Sequence, residues 1–436
     1  MSEEREKDAE TEGGTATPGF ADAVIERPES LGASRPTVSL HLLVKNGESV
    51  VGRLLENVGP YVDEVVAVLN DCEDGTEGVL EAWGREPGRT VDLVRVTRES
   101  HPDLYIMDEA ETYDCGRPLA GERFEGPFTG KKILADWATA RNLGWRRCTK
   151  DWRLFLDADD VVLDPERIPG LCKVLGEHGV DVACSLYHFH VDVEGRPLGS
   201  SFRERLARGA AKQVRWAYPV HEVLVGDNKR SHVEGSLLVQ DLRDNRGKDV
   251  RIPGRGFKVL YQYARARDWA VSPRILVNLI MEVRLLVQSG APLVSFMQSL
   301  LDTYLARSTW PEERAWAIAM VGEMLERDDA FEDASKLYRA SLAEHPGSKT
   351  AFRLARVRFK AEDWRGCVEA HALGVENRGA RQVLDDGEAL GVAGEILVAA
   401  AWDELGEKEK ARAACDAAIA AYPKNVPLKE LREKIG

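Results

Sequence analysis

Apolar residues recur along this chain with two different periods. From Pro36, short β-branched runs alternate with segments spaced for helices. Residues 37–46 (TVSLHLLVKN) are almost continuously apolar and stop at Asn46-Gly47, which predicts a buried strand. A helix is predicted over 48–59, a second strand over 62–70 (VDEVVAVLN), a helix over 75–84 and a third strand over 90–97 (TVDLVRVT). This β-α-β-α-β order predicts a parallel sheet flanked by helices. Residues 98–130 show no clear period, and a loop this long inside a compact domain is unusual and often functional. A helix is predicted over 131–148 and a strand over 151–159 (DWRLFLDAD), with further strands in 180–240, including VDVACSLYHFHVDV and GSLLVQDL.

After about residue 255 the period is helical to the end. Ala334, Tyr338, Ser341 and Pro346 stand at offsets 0, 4, 7 and 12, and Ala411, Cys415, Ala418 and Pro423 stand at the same offsets. A weaker copy starts at Cys367, 33 residues after Ala334. Small residues where helices cross, with Pro after the second helix, resemble tetratricopeptide repeats. The expected organisation is a disordered tail over 1–35, an α/β domain over 36–254 and a helical, tetratricopeptide-like repeat domain over 255–436.

Composition narrows the setting. A net charge of −14 weighs against a broad nucleic-acid or anionic-membrane surface. The seven cysteines are scattered without a CxxC pair, which argues against a disulfide scaffold or zinc finger and fits a reducing cytoplasm. The N-terminus lacks the apolar core of a signal peptide, and no run approaches the length of a membrane span.

The chemistry concentrates at DWRLFLDADD, where an apolar run ends in Asp157, Asp159 and Asp160. In open α/β sheets, ligands bind beyond the carboxyl ends of the strands. If the chain stays extended, the i, i+2 spacing points Asp157 and Asp159 the same way. Two such carboxylates suit Mn²⁺ or Mg²⁺, which can bridge the phosphates of a nucleotide sugar and neutralise a departing diphosphate. The bland alternative is a turn with a helix cap, a role that suits Asp160 or Asp164.

Residues 37–250 resemble a family 2 glycosyltransferase of the GT-A fold, in the branch that carries C-terminal tetratricopeptide repeats. The matching blocks are SLHLLVKNGES, VVAVLNDCEDGT, WATARNLG, DWRLFLDADD and, more weakly, YPVHEVLVG. The resemblance implies that Val44, Lys45 and Asn46 border the nucleotide base and that Asp74 helps form the base and ribose pocket. Arg141 would reach the diphosphate or hold the DxD strand end. Asp157 would contact the donor and, with Asp159, the metal. Leu69 or Asn70 stands where the family has an acidic residue, and Gln240 and Asp241 stand near its late His, which makes Asp241 the expected third metal ligand. An inverting transfer needs a general base. The family match favours Glu222, with His221 orienting it or contacting the donor.

Trp216 and Tyr218 could stack on a sugar or belong to the core. His188 and His190 share a strand face without a carboxylate partner, which favours a structural role. Cys115 reads as a free surface thiol. The expected activity is therefore metal-dependent inverting transfer, hexosyl transfer from a UDP-sugar first among the options. The acceptor could be a peptide or protein, a glycan, a small metabolite or a modified nucleic-acid base, and the helical domain could mediate homo-oligomers. From another class, the chain could be an inactive glycosyltransferase-like scaffold that binds a peptide through its repeats. A nucleotidyltransferase would want a Gly-rich basic loop after the first strand, which VKNGES is not.

Overall fold

The protein is described from a computed structural model over residues 35–107, 112–114, 123–125, 132–191, 197–226, 230–241, 254–291, 293–377, 391–423 and 425–436. The expected tail and Cys115 fall outside these residues. Two compact units emerge, one of residues 1–110 and 127–268, the other of 111–126 and 269–436.

In chain order the first unit contains β1 (Val38–Val44), α1 (Glu48–Val58), β2 (Glu64–Asn70), α2 (Thr76–Gly84), β3 (Val91–Val96) and β4 (Tyr105–Met107). The hairpin strands β5 (Thr112–Asp114) and β6 (Arg123–Glu125) group with the second unit. The first unit resumes with β7 (Lys132–Leu134), α3 (Trp137–Trp145), β8 (Trp152–Phe155), β9 (Asp160–Val162) and α4 (Ile168–Glu177). It ends with β10 (Val182–Val191), β11 (Pro197–Arg208), β12 (Arg215–Ala217), β13 (Val223–Val225), β14 (Ser231–Asp241) and α5 (Arg255–Arg265). The helix α5 groups here, so the change to helical period at 255 precedes the division between units by one helix.

Eight strands form one sheet in the order β3-β2-β1-β8-β11-β10-β14-β9. β1, β2, β3 and β8 are parallel, which brings the carboxyl ends of β1, β2 and β8 to one edge. The sheet is mixed rather than parallel, because β11 runs antiparallel between β8 and β10. Every residue of β1 and β2 is buried, as expected for central strands covered on both faces. Alternate residues divide between the layers. Leu40, Leu42 and Val44 pack with Val51, Leu54 and Leu55 of α1, whereas Leu43 packs with Val68 and with Ala140 of α3.

The predicted helix over 131–148 is in fact strand β7 followed by the shorter α3. Asp136 caps α3 by accepting a hydrogen bond from the Thr139 N–H at 2.8 Å, and Lys132–Leu134 pairs antiparallel with β4 instead.

The second unit's helices are α6 (Pro273–Gln288), α7 (Val294–Leu305), α8 (Pro311–Arg327), α9 (Phe331–Glu344), α10 (Ser348–Lys360), α11 (Trp364–Glu376), α12 (Gly391–Glu404), α13 (Lys408–Ala421) and α14 (Val426–Ile435). The predicted repeat positions are buried in register. Ala334, Cys367 and Ala411 are fully buried, and Tyr338, His371 and Cys415 follow one turn later, all buried. Gly374 shows why this register needs small residues: a Cβ there would lie 2.7 Å from the Phe352 ring. Adjacent pairs are also tied by charge, since Glu326 accepts two hydrogen bonds from Arg356, at 2.6 and 2.9 Å, and one from the Tyr338 hydroxyl at 3.0 Å. Among the described residues, no helix is long and apolar enough to cross a membrane.

Candidate active site

Helix α3 is the spine of the site. Gly144 lets it approach the sheet closely, since a Cβ there would lie 2.6 Å from Val68 and 2.9 Å from His41. Its other contacts run along the segment that carries the predicted base. The Trp137 N–H donates to the Pro219 carbonyl at 2.8 Å, and the Trp145 indole donates to the Val214 carbonyl at 3.1 Å. Asn142 makes two backbone bonds to Trp216, donating to its carbonyl at 2.8 Å and accepting from its N–H at 3.0 Å. Asn142 therefore fixes the approach to Glu222, while Arg141 beside it makes the charged contacts.

Arg141 is buried and bridges two predicted site residues. Its Nε donates to Glu222 Oε1 at 2.5 Å, and its Nη2 stands 3.5 Å from Asp157 Oδ1. The guanidinium lies over the Phe155 ring, 4.0 Å from the centroid. Arg141 thus touches the end of the strand that carries Asp157. Tyr218 and His221 both have positive φ, 73° and 53°, an uncommon state for bulky residues that marks a constrained turn ahead of Glu222. Trp216 is a core residue, packed edge-on against Trp145 and Phe155.

The chain is not extended across the acidic pair. The Asp160 N–H donates to the Asp157 carbonyl at 3.0 Å, and the Asp160 side chain accepts from the Asp157 N–H at 2.9 Å. Ala158 and Asp159 thus occupy the middle of a turn, with Asp157 and Asp159 half-buried. Alternation along an extended strand does not set their directions. Asp160 is fully buried and closes the turn at the start of β9, but it caps no helix, and Asp164, at the cap position further on, makes no side-chain cap bond. Burial pushes its carboxyl up to about 7, against the pull of Arg205. Burial also opposes charge on Asp157, but Arg141, Arg205 and Arg203 hold its carboxyl below the ordinary range.

The exits of β1 and β2 complete the edge. Asn46 and Asp71 have φ of 50° and 51°, a conformation that Asn and Asp tolerate best after Gly. Lys45 and Asn46 are exposed, and the Asn46 side chain accepts from the Glu73 N–H at 2.8 Å. Val44 is buried, its carbonyl accepting from the Cys72 thiol at 3.4 Å. Asp74 accepts from the Glu48 N–H at 3.0 Å through one oxygen and from the Thr76 N–H at 3.1 Å through the other. Desolvation works against its charge, but the Thr76 hydroxyl, which also donates to it, and these backbone bonds hold the carboxyl below its usual range. Asp74 thereby locks the two loops together. Asn70 is buried and accepts from the Tyr105 hydroxyl at 2.7 Å. Asp71, one residue on, forms an ion pair with Arg98.

Among the described residues, no group of three His, Cys, Asp or Glu side chains is placed to hold a metal. Asp241 pairs with Asp160 in the β14–β9 register, but its side chain lies outside the described residues, as does that of His190. His188 is half-buried, and burial lowers its pKa.

His41, not singled out in the sequence, supports the site from below. It is fully buried, and its Nε2 lies 3.0 Å from the Arg141 carbonyl. Burial, helped by Arg141, lowers its pKa to about 3. A depressed histidine pKa contributes stability that is complete above the unfolded value and is lost as pH falls from there toward the folded one. Wild-type unfolding should therefore lose up to about 1.4 kcal/mol per pH unit from this residue between roughly pH 6.5 and 3. His41→Gln should flatten that part of the profile in denaturant titrations; an unchanged slope would show that His41 is not the group responsible.

Residues 134–229 match the family model described as Glycosyl transferase family 2. The match spans α3, the acidic turn and Glu222. No curated protein matches the chain. Among solved structures, the tetratricopeptide domain of Arabidopsis OM64 is 12% identical, covering 29% of this chain and 96% of its own, with a TM-score of 0.25. MamA is 14% identical, covering 38% and 81%, with a TM-score of 0.31. The second tetratricopeptide domain of human RPAP3, solved with an HSP70 peptide, is 14% identical, covering 29% and 97%, with a TM-score of 0.25. Residues 134–229 of the first unit thus carry a match to the family 2 glycosyltransferases on a mixed sheet consistent with the GT-A type, and helices with tetratricopeptide-like spacing follow in the chain.

Proposed function

We propose that this chain is an inverting, divalent-metal-dependent glycosyltransferase that takes a hexosyl group from a UDP-sugar. The observation that carries this reading is the Arg141 clasp, in which one buried guanidinium touches both Asp157 of the acidic turn and Glu222. It ties the donor end of the site to a carboxylate suited to the acceptor proton.

Asp157 and Asp159 offer hard oxygen donors at the strand end. Mg²⁺-like ions are commonly held by one or two carboxylates, with substrate phosphates completing the shell, so the pair fits Mn²⁺ or Mg²⁺ without a full protein cage. When bound there, such an ion would supply charge neutralisation to the departing diphosphate. Lys45, Asn46, Asn70 and Asp74 line or brace the base side. Glu222 takes the acceptor proton as the acceptor attacks the anomeric carbon and the bond to the diphosphate breaks, while His221 sets the turn that presents Glu222. In this reading the second unit presents the acceptor or joins copies of the chain.

The test is thermal unfolding with UDP-sugars, with and without Mn²⁺. Ligand at a hundred times its Kd should stabilise the first unit by about 2.7 kcal/mol, and EDTA should remove the gain. No shift with any nucleotide sugar would refute the reading. One observation favours the scaffold alternative: Leu69 or Asn70 stands where the family has an acidic residue, and the Asn70 side-chain oxygen is already engaged by Tyr105. Peptide binding without donor hydrolysis in Mn²⁺ would support that alternative.

A further inference from the structure

We infer that Arg205 is a positioning residue for donor binding: it fixes the acidic turn and the second oxygen of Asp157. The inference rests on the glycosyltransferase reading of this site. Arg205 lies on β11, the strand that runs antiparallel beside β8, next to Leu206, which registers with Leu154. This places it alongside Phe155, the last residue of β8, whose carbonyl lies 3.5 Å from Arg205 Nη1.

Arg205 is only 1% exposed. A buried cation is expensive to desolvate, and apolar packing would serve stability as well or better. Its surroundings are specific. The guanidinium lies 5.0 Å from the Phe155 ring centroid and 4.6 Å from that of Tyr187. Nη2 stands 3.1 Å from Asp160 Oδ2 and 4.0 Å from Asp157 Oδ2. Asp160 also accepts from the Tyr187 hydroxyl at 3.1 Å and from the Asp157 N–H at 2.9 Å. Arg205 thus balances the carboxylate that closes the turn and faces the Asp157 oxygen opposite the one that Arg141 faces. Two guanidiniums packed on one phenyl ring hold Asp157 between them. A planar, stacked fork can do this where a lysine ammonium cannot.

The test uses Arg205→Lys, which keeps the charge and loses the fork. Steady-state kinetics of Mn²⁺-dependent UDP-sugar hydrolysis should show donor KM raised about tenfold or more, with kcat changed less. In an Asp157→Asn background the same substitution should add little, because it acts through Asp157. Additive effects on KM, or a lowered Tm with unchanged KM, would overturn the inference. Should Arg205→Lys not fold, Tyr187→Phe removes the hydroxyl that donates to Asp160, the carboxylate Arg205 balances in closing the turn, and should raise KM severalfold; an unchanged KM would overturn the inference. If the wild type binds no nucleotide sugar, the glycosyltransferase reading fails separately. Urea unfolding of the four proteins in the Arg205/Asp157 cycle then decides whether the two residues are coupled, and additivity there sinks the positioning claim.

Discussion

Asp159→Ala should lower sugar transfer by about 10³-fold or more, on the scale of losing a major stabiliser of developing charge, while the fold survives. The argument separates the three aspartates of one turn. Asp160 is the buried acceptor that closes the turn, and Asp157 stands between two arginines. Asp159 occupies the middle of the turn, half-buried, and the bonds that close the turn run through the backbone and Asp160. Arg53 reaches the Asp159 carbonyl, at 3.5 Å, which the substitution retains. The unfolding midpoint should therefore move little, and the Mn²⁺ dependence of donor binding should vanish. Asp160→Ala should do the reverse in emphasis, destabilising the fold by opening the turn and leaving buried Arg205 with only the more distant Asp157 as a counter-charge. Near-normal Mn²⁺-dependent turnover in folded Asp159→Ala would remove Asp159 from the metal role.

The contrast between these aspartates also shows what the sequence could disclose. β1 and β2 were legible because buried central strands are near-continuous apolar runs, β3 because an edge strand still shows the apolar alternation of VDLVRV, and the acidic block because an apolar run there ends abruptly in carboxylates. The repeat register was legible for a related reason: where helices cross at Ala334, Cys367 and Ala411, only small side chains fit. β11 escaped notice because PLGSSFRERLAR reads as a polar, solvated segment, and arginine is seldom fully buried. Arg205 becomes visible only when β11 is placed beside β8 and its charge meets Asp160. The direction of Asp157 and Asp159 was likewise out of reach, since extended alternation assumes that the strand continues, whereas the Asp160 side chain turns the chain at once. Asp71 and Arg98 were missed because an ion pair between two loops leaves no periodic trace. The Arg141–Asn142 pair carried a motif signal, but which residue grips charge and which grips backbone needed the fold.

Glu222→Gln should leave donor affinity near wild type and lower turnover by about 10²-fold or more, the usual scale for a general base. The amide is informative because of what surrounds it. Glu222 is bonded through Oε1 to Arg141 Nε, and a glutamine can present a carbonyl oxygen to the same donor. The turn shaped by Tyr218 and His221 and the bonds from Asn142 to Trp216 do not depend on the Glu222 charge. The substitution therefore removes proton-accepting ability while retaining much of the geometry. Glu222→Ala does not separate these effects. It leaves Arg141 buried with Asp157 alone as a counter-charge, and removing one partner of such a pair costs about 3–5 kcal/mol. Its donor KM should rise together with its loss of stability, because Arg141 is then free to draw Asp157 away from its place. Comparing the two variants by donor KM, kcat and urea midpoint distinguishes a base from a brace. If glutamine and alanine both weaken donor binding, with turnover at saturation unchanged, Glu222 serves only to hold Arg141, and the proton acceptor must be sought on another residue of the site.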